Sequence, residues 1–209
     1  MVITYMGGEC FKISQGDLTI ALNPSSKDSS LKTSKFGSDI VLSSINHDDM
    51  RGIENASFGD REPFAIVGPG EYEVKGVAVR GFGSQSHYGG ETHINTIYSI
   101  SLEGVNICFL GALGTTDLPQ AAKQELDDID ILMLPIGGEG VLDHASAYKL
   151  AVGLEPKAII PMHYGTLGGK DALKSFLKEA GEDVKPIDKL AVKKKDLEGK
   201  EGEIIVLQA

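Results

Sequence analysis

The chain has 209 residues, of which 41% are hydrophobic and 24% are charged, and its formal net charge is −10. This composition is that of an ordinary globular protein, and the negative charge counts against binding to nucleic acid, whose phosphates the chain would repel. No apolar run approaches the roughly 20 residues of a membrane-spanning helix. The first residues include neither a basic region nor an apolar signal segment, so we expect cytoplasmic residence and no membrane partner.

The first quarter of the chain is predicted to form strands joined by short turns. Strand-like sequence covers residues 2–6, 10–14, 18–22 and 40–43. Gln15-Gly16-Asp17 is typical of a hairpin turn, and Pro24 ends this unit because proline disfavours helical backbone at the residue before it. Residues 25–37 are rich in Ser, Lys and Gly and are predicted to form a loop.

The middle of the chain is predicted to contain strands and turns only. The predicted strands cover residues 64–67, 77–82, 95–102 and 105–110. Residues 84–93 are polar and rich in glycine, which indicates a loop. Glu103-Gly104 is predicted to form a second hairpin turn.

Helices are predicted to alternate with short strands in the second half. Asp117 is expected to cap a helix whose first turn holds Pro119, Asp143 to cap a second, and residues 172–180 to form an amphipathic third. The strands are predicted at residues 129–134, 157–160, 184–187, 190–194 and 203–207. This order predicts one layered α/β domain over residues 1–209, with sheet inside and helices outside.

Two histidines differ from the others because each directly follows a predicted strand. His47, with Asp48 and Asp49 beside it, follows the strand at 40–43, and His163 follows the strand at 157–160. Loops at the ends of strands commonly carry functional side chains. Imidazole and carboxylate groups together form a set of ligands suited to Zn²⁺, Mn²⁺ or Fe²⁺.

Seven short segments carry a resemblance to a known family that covers nearly the whole chain. They are residues 6–11 (Met-Gly-Gly-Glu-Cys-Phe), 23–24 (Asn-Pro), 39–50, 68–72 (Gly-Pro-Gly-Glu-Tyr), 110–114 (Leu-Gly-Ala-Leu-Gly), 134–138 (Leu-Pro-Ile-Gly-Gly) and 160–164 (Ile-Pro-Met-His-Tyr). With these segments the chain resembles metallo-β-lactamase-fold hydrolases of the branch that includes ascorbate-phosphate-lactonase-like proteins. The resemblance implies an α/β fold, the metallo-β-lactamase-like αββα sandwich with two β-sheets inside and helices outside.

The resemblance also implies metal ligands after the strand at 40–43, and the chain departs from that pattern. The family has a His-x-His-x-Asp-His run here, which falls on residues 45–50. Ile45 and Met50 stand at the first and last histidine positions. At the ligand positions that the resemblance identifies unambiguously, only His47, Asp49 and His163 keep their ligand type.

Further departures lie elsewhere in the chain. The bridging aspartate of the family falls on Ala112, and another ligand histidine falls on Ser86 or on His87. The histidine of the N-terminal Gly-His motif falls on Gly8, and the aspartate of the Asp-Pro corner falls on Asn23. Two divalent metal ions about 4 Å apart repel each other by on the order of 15–20 kcal/mol at an effective dielectric constant of about 20. Ala112 provides no bridging carboxylate to offset that repulsion.

We therefore expect a member of the family whose dinuclear metal site is largely lost, without di-zinc hydrolase activity, retained for binding or scaffolding and needing no cofactor. The pocket is expected to include Glu9, Ile45, Met50, Ser86, His87 and Ala112. His47, Asp49 and His163 are expected to remain as a residual set of ligands or as a buried hydrogen-bonded network.

Two alternatives stay open. A single Zn, Mn or Fe ion on His47, Asp49 and His163, with Glu9, Asp48 or His87 as a fourth group, would make a mononuclear hydrolase of a phosphoester or lactone. Asp48 would then be the catalytic base. Alternatively, a histidine and Asp49 could act without metal, on a nucleophile among Ser43, Ser44 and Ser86. No partner can be named, although the resemblance implies a homo-oligomer.

Overall fold

The computed structural model describes residues 1–31, 34–59 and 61–209, and these form thirteen β-strands and three α-helices. The strands are β1 (Val2–Gly7), β2 (Cys10–Gln15), β3 (Leu18–Leu22), β4 (Ile40–Leu42), β5 (Phe64–Ile66), β6 (Gly70–Val74), β7 (Val77–Ser86), β8 (His93–Leu102), β9 (Val105–Phe109), β10 (Ile131–Pro135), β11 (Ala158–Met162), β12 (Leu190–Ala191) and β13 (Glu203–Ile204). The helices are α1 (Gln120–Glu125), α2 (His144–Leu154) and α3 (Ala172–Ala180).

The strands form two mixed sheets. One has six strands in the order β12-β1-β2-β3-β4-β5, and the other has seven in the order β13-β11-β10-β9-β8-β7-β6. The parallel pairs are β3 with β4 and β4 with β5 in the first sheet, and β9 with β10, β10 with β11 and β11 with β13 in the second. Parallel strands end at the same edge of their sheet, so the loop after β4 lies at one edge of the first sheet and the loop after β11 at one edge of the second, where each can contribute to a site.

The main hydrophobic core lies between the two sheets. Phe11 and Ile20 of the first sheet belong to the same fully buried cluster as Tyr98, Phe109 and Ile160 of the second. The outer face of the seven-stranded sheet is covered by the helices, since Ala122 of α1, Ala147 of α2 and Phe176 of α3 share a second buried cluster with its strands. These layers confirm the predicted α/β sandwich.

The outer face of the six-stranded sheet has a smaller cover. Ala21 and Val41 pack there with Ala56, Phe36 and Ile53, which lie in the connecting loop and in a 3-10 helix at Ile53–Asn55. Lys32 and Thr33 of the loop predicted at residues 25–37 lie outside the described residues. None of the helices in the described part of the chain is long and apolar enough to cross a membrane. The single-domain assignment stays a prediction.

Several local predictions are confirmed and others are wrong. The hairpin turn at Gln15-Gly16-Asp17 joins β2 to β3, and Asp143 caps α2 by accepting a hydrogen bond from the Ser146 N–H at 2.8 Å. Asp117 caps no helix: α1 begins at Gln120 with Pro119 at its N-cap position.

The other errors concern strands: β7 runs to Ser86, into the segment predicted as a loop, and β12 and β13 are shorter than predicted. Residues 184–187 form only an isolated bridge, between Ile187 and Leu207, because Pro186 has no N–H with which to extend a ladder. The strand β6 was not predicted, because Pro69-Gly70 resembles a turn.

Asp130 connects three separate segments of the chain. Its carboxylate is fully buried and accepts hydrogen bonds from Lys157 Nζ at 2.7 Å, Lys194 Nζ at 2.6 Å and the Asn106 N–H at 2.8 Å. Burial by itself would raise the pKa of Asp130, but these three donors outweigh it and lower the pKa below its usual value. Removing the charge therefore removes stabilisation that is present at neutral pH.

We predict that Asp130→Asn lowers the free energy of unfolding by about 2–3 kcal/mol at pH 7, because hydrogen bonds to a charged group are among the stronger ones. The folded-state pKa lies below the unfolded value of about 3.9, so the difference from the native chain should be constant at neutral pH. It should shrink as the pH falls below about 4. Urea unfolding at several pH values measures both effects.

Asp128→Asn is the matched control. Asp128 contacts the same Lys157 Nζ at 3.1 Å, but its side chain is 60% exposed. Exposed ion pairs contribute little, so this variant should cost less than about 1 kcal/mol. Equal losses in the two variants would contradict the assignment of Asp130 as the connecting group.

Candidate functional site

The candidate site lies where loops from both sheets meet. Glu9 is in the turn between β1 and β2, and His47 and Asp49 lie in the loop after β4. Tyr88 follows β7, and His163 follows β11. The two sheets are joined here by a hydrogen bond from the Thr96 N–H of β8 to the Ser44 carbonyl oxygen at 2.8 Å.

The deepest part of the site is a buried polar network around Glu9. His163 Nδ1 lies 2.7 Å from Glu9 Oε1, and both side chains are fully buried. The Asn23 amide nitrogen donates to Glu9 Oε2 at 2.9 Å and to Ser44 Oγ at 2.8 Å. Asn23 Oδ1 in turn accepts the Ser44 N–H at 2.7 Å. An ionised carboxylate can only accept, so His163 presents its Nδ1–H to Glu9.

His163 is held in an unusual backbone conformation. Its φ is 63°, in the left-handed region that few non-glycine residues adopt. The His163 N–H donates to the Gly8 carbonyl oxygen at 2.7 Å, which connects β11 to the turn after β1. Its second ring nitrogen, Nε2, is buried and has no hydrogen-bond partner. A fixed tautomer with a free nitrogen is the state in which a histidine binds a metal or exchanges a proton.

His47, Asp49 and Tyr88 form the outer part of the site. The Tyr88 hydroxyl donates to Asp49 Oδ2 at 2.7 Å, and the Ser29 hydroxyl donates to the other carboxylate oxygen. His47 Nδ1 accepts the Asp49 N–H at 3.2 Å and lies 3.5 Å from Asp49 Oδ2. Burial, followed by the hydrogen bond to Asp49, raises the pKa of Tyr88 well above its usual value, so its hydroxyl remains a donor.

The Tyr88 ring contacts both histidines of the predicted set. Its centroid lies 4.8 Å from that of His47 and 5.3 Å from that of His163, and both pairs are edge-to-face. The His93 ring also lies near His47, with a centroid separation of 6.1 Å. Tyr88 thus contacts all three members of the predicted ligand set.

Apolar side chains fill the neighbouring space. Ile45, Met50 and Ala112 are buried in one cluster with Tyr88 and Val141, and Leu167 packs against it from the edge. Ile45 and Met50 come from the loop after β4, while Ala112 comes from the loop after β9. The structure therefore brings these three predicted pocket residues together.

The residues of the site do not fit a metal ion in this arrangement. Ligand atoms must converge to about 2.0–2.2 Å from the metal. Among the residues that the structure describes, no group of three or more His, Cys, Asp or Glu side chains is arranged to do so. Both oxygens of Asp49 already accept hydrogen bonds from hydroxyl groups.

The remaining predicted residues lie around this site in different roles. Ser86 is fully buried, and its hydroxyl accepts the Tyr88 N–H at 3.2 Å. His87 is exposed beside the Thr92 hydroxyl, and Asp48 is exposed as well. Ser43 is buried and donates to the Met50 carbonyl oxygen at 2.7 Å.

The sequence prediction did not include Tyr88. The residue lies in a polar, glycine-rich loop without hydrophobic periodicity, so no local pattern distinguishes it. The only sequence signal is an aromatic residue directly before Gly89-Gly90, in the loop predicted at residues 84–93.

An open cleft of about 430 Å³ adjoins the site. It is lined by His47, Asp49, Tyr88, Gly89, Gly90 and Glu139. Its charged side chains are carboxylates, and none of the described lining residues is Lys or Arg.

Comparison with protein families gives one match over most of the chain. Residues 2–163 match the model of a family described as "Beta-lactamase superfamily domain". Among similar proteins, a UPF0173 metal-dependent hydrolase of Natranaerobius thermophilus is 27% identical over 191 residues, covering 79% of this chain and 84% of that protein. A UPF0173 metal-dependent hydrolase of Listeria innocua is 29% identical over 198 residues, covering 79% and 86%.

Solved structures agree with this match. A Thermotoga maritima protein of the metallo-beta-lactamase superfamily, with a proposed Zn-dependent hydrolase activity, has a TM-score of 0.73 and 26% sequence identity. The alignment covers 99% of this chain and 97% of that one. Igni18, a metallo hydrolase of Ignicoccus hospitalis, shares the fold with a TM-score of 0.65 at 18% identity, covering 99% and 94%.

The buried network generates a prediction about Asn23, whose amide donates to Glu9. Asn23→Asp would place two carboxylates in contact within a buried site, which raises the pKa of one of them above its unfolded value. We expect a loss of about 3 kcal/mol in the free energy of unfolding at pH 7. A carboxyl group whose pKa is raised in the folded state destabilises the fold only at pH values where it is ionised in the unfolded chain. The loss should therefore fade as the pH falls towards about 4.

The matched control exchanges the acid and the amide. The double variant Glu9→Gln with Asn23→Asp keeps one carboxylate and one amide in contact, so it should recover most of the loss at pH 7. Urea unfolding of the single and double variants measures this rescue. A double variant no more stable than Asn23→Asp alone would contradict the proposed network.

Proposed function

The chain belongs to the metallo-β-lactamase superfamily, and from that membership we propose that it is a binding or scaffolding member whose dinuclear metal site has been lost. It would then lack di-zinc hydrolase activity and need no cofactor. We also propose that it self-associates, as the resemblance of its sequence implies, and that it acts in the cytoplasm.

The observation that carries this proposal is the buried cluster of Ile45, Met50 and Ala112 with Tyr88 and Val141. Aliphatic side chains offer no lone pair to a metal and cannot orient a nucleophilic water. Burying an Ile or Met side chain stabilises a fold by about 1.5–3 kcal/mol. The cluster thus supports a site in which side-chain packing has taken over the stabilising role of metal ligation.

The adjacent cleft supports retention for binding. Its volume of about 430 Å³ lies within the range of small-molecule pockets. Asp49 and Glu139 give it negative charge, which favours neutral or cationic ligands over phosphate. An anionic phosphoester would meet carboxylates here without a cation to offset them.

A second candidate is a mononuclear metal-dependent hydrolase of a phosphoester or lactone. It is favoured by the hydrogen bond between His163 Nδ1 and Glu9, since a carboxylate behind a histidine commonly orients that ring for metal binding. Asp48 would be the base in this alternative. It would require His47, Asp49 and His163 to converge around one ion.

The test is the metal content of the protein purified without chelator. We expect Zn, Mn and Fe together to be far below one ion per chain, because the donor atoms do not converge. Protein treated with chelator and dialysed gives the baseline. Stoichiometric metal that resists dialysis would contradict the proposal and support the mononuclear alternative.

Hydrolysis assays with added Zn²⁺, Mn²⁺ or Fe²⁺ complete the test. We expect no metal-dependent turnover of phosphodiester or lactone substrates by the native chain. The His163→Ala variant is the matched control: activity that His163→Ala abolishes would support a hydrolase, whereas activity equal in both proteins would come from a contaminant.

A further inference from the structure

Tyr88 contacts every member of the predicted ligand set. Its ring packs edge-to-face against His47 and against His163, and its hydroxyl donates to Asp49 Oδ2 at 2.7 Å. Three side chains that were predicted to bind one metal ion therefore all contact the phenol of Tyr88. The phenol supplies a hydrogen-bond donor to the carboxylate and ring contacts to the two imidazoles.

The turn that carries Tyr88 is fixed on both sides. The Tyr88 N–H donates to Ser86 Oγ at 3.2 Å, and the His87 N–H donates to the Gly140 carbonyl oxygen at 3.0 Å. Gly140 has a φ of 99°, and a Cβ there would lie 2.3 Å from the His87 carbonyl oxygen. Only glycine permits this close approach of the two turns.

The same turn also covers His47. A Cβ added to Gly89, whose φ is 71°, would lie 3.2 Å from His47 Nε2. A side chain at Gly89 would therefore touch that nitrogen. The other ring nitrogen, Nδ1, accepts the Asp49 N–H, so a metal ion at Nδ1 would have to displace this hydrogen bond.

We propose that Tyr88 takes the place of a metal ion in this site, keeping His47 and His163 apart and satisfying Asp49 in place of a cation. The inference deepens the proposed function and rests on it, because the native chain is taken to hold no metal. It identifies Tyr88 as the residue that excludes the ion.

In the observed arrangement the Tyr88 ring packs against both imidazoles, and the three candidate ligands do not converge as a group on one point. Zinc binding would require their donor atoms to converge to about 2.0–2.2 Å from the ion. A ring with centroid distances of 4.8 and 5.3 Å to those imidazoles is in ordinary packing contact with each. Replacing Tyr88 by a small residue removes the ring and one donor to Asp49, while it leaves the three ligands in place.

The experiment compares Co²⁺ binding by the native chain and the variants Tyr88→Ala and Tyr88→Phe, using calorimetry and the visible absorption of the bound ion. Tyr88→Ala should bind one Co²⁺ per chain at least about tenfold more tightly than the native chain, an effect as large as that of one ligand-positioning contact. Tyr88→Phe keeps the ring and loses only the hydroxyl, so it should stay close to the native chain.

Adding His163→Ala to Tyr88→Ala should abolish the gained absorption, because the ion would lose an imidazole ligand. Circular dichroism checks that each variant is folded. If Tyr88→Ala does not fold, Tyr88→Ser provides a second small residue, which can still hydrogen-bond to water or to the neighbouring turn.

The outcomes separate this inference from the proposed function. Folded small-residue variants that bind Co²⁺ no better than the native chain would overturn the role of Tyr88 and leave the proposed function standing. Binding by Tyr88→Phe equal to that of Tyr88→Ala would overturn exclusion by the ring. Tight one-to-one binding by the native chain itself would overturn both the inference and the proposed function.

Discussion

The hydrogen bond between Glu9 and His163 is the interaction on which the site depends. It joins the turn after β1 to the loop after β11, two segments that are 154 residues apart and belong to different sheets. Both groups are fully buried, so neither can exchange its partner for water. The left-handed backbone at His163 costs free energy, and this bond and the one from its N–H to Gly8 offset that cost.

The Glu9 carboxylate in turn constrains the residue at the Asn-Pro corner. A buried carboxylate needs donors on both oxygens, and the Asn23 amide provides the second one. An aspartate, which the family resemblance implies at this position, could not donate and would repel Glu9. Asn23 therefore suits Glu9 because the Asn23 amide donates a hydrogen bond that the Glu9 carboxylate can accept. The departure from the family pattern at Asn23 is therefore consistent with a buried carboxylate at Glu9.

Sequence patterns predicted the fold well and the site only in part. Alternating strands, the hairpin at residues 15–17 and the Asp143 cap depend on local chemistry, and the structure confirms them. The structure also brings Ile45, Met50 and Ala112, which the family pattern places in the pocket, into one buried cluster. Tyr88 could not be found this way, because its role arises from contacts between loops after β4, β7 and β11, which no local period encodes.

The packing around Asp49 explains why an apolar site can keep polar residues. Once Asp49 receives hydrogen bonds from Ser29 and Tyr88, it no longer requires a cation. His163 Nδ1 is paired with Glu9, and the His163 ring packs against Tyr88. The buried Nε2 of His163 has no hydrogen-bond partner. Residues suited to binding a metal can thus persist as structural groups. Their presence is weak support for hydrolysis, since Tyr88 packs against both histidines and its hydroxyl donates to Asp49.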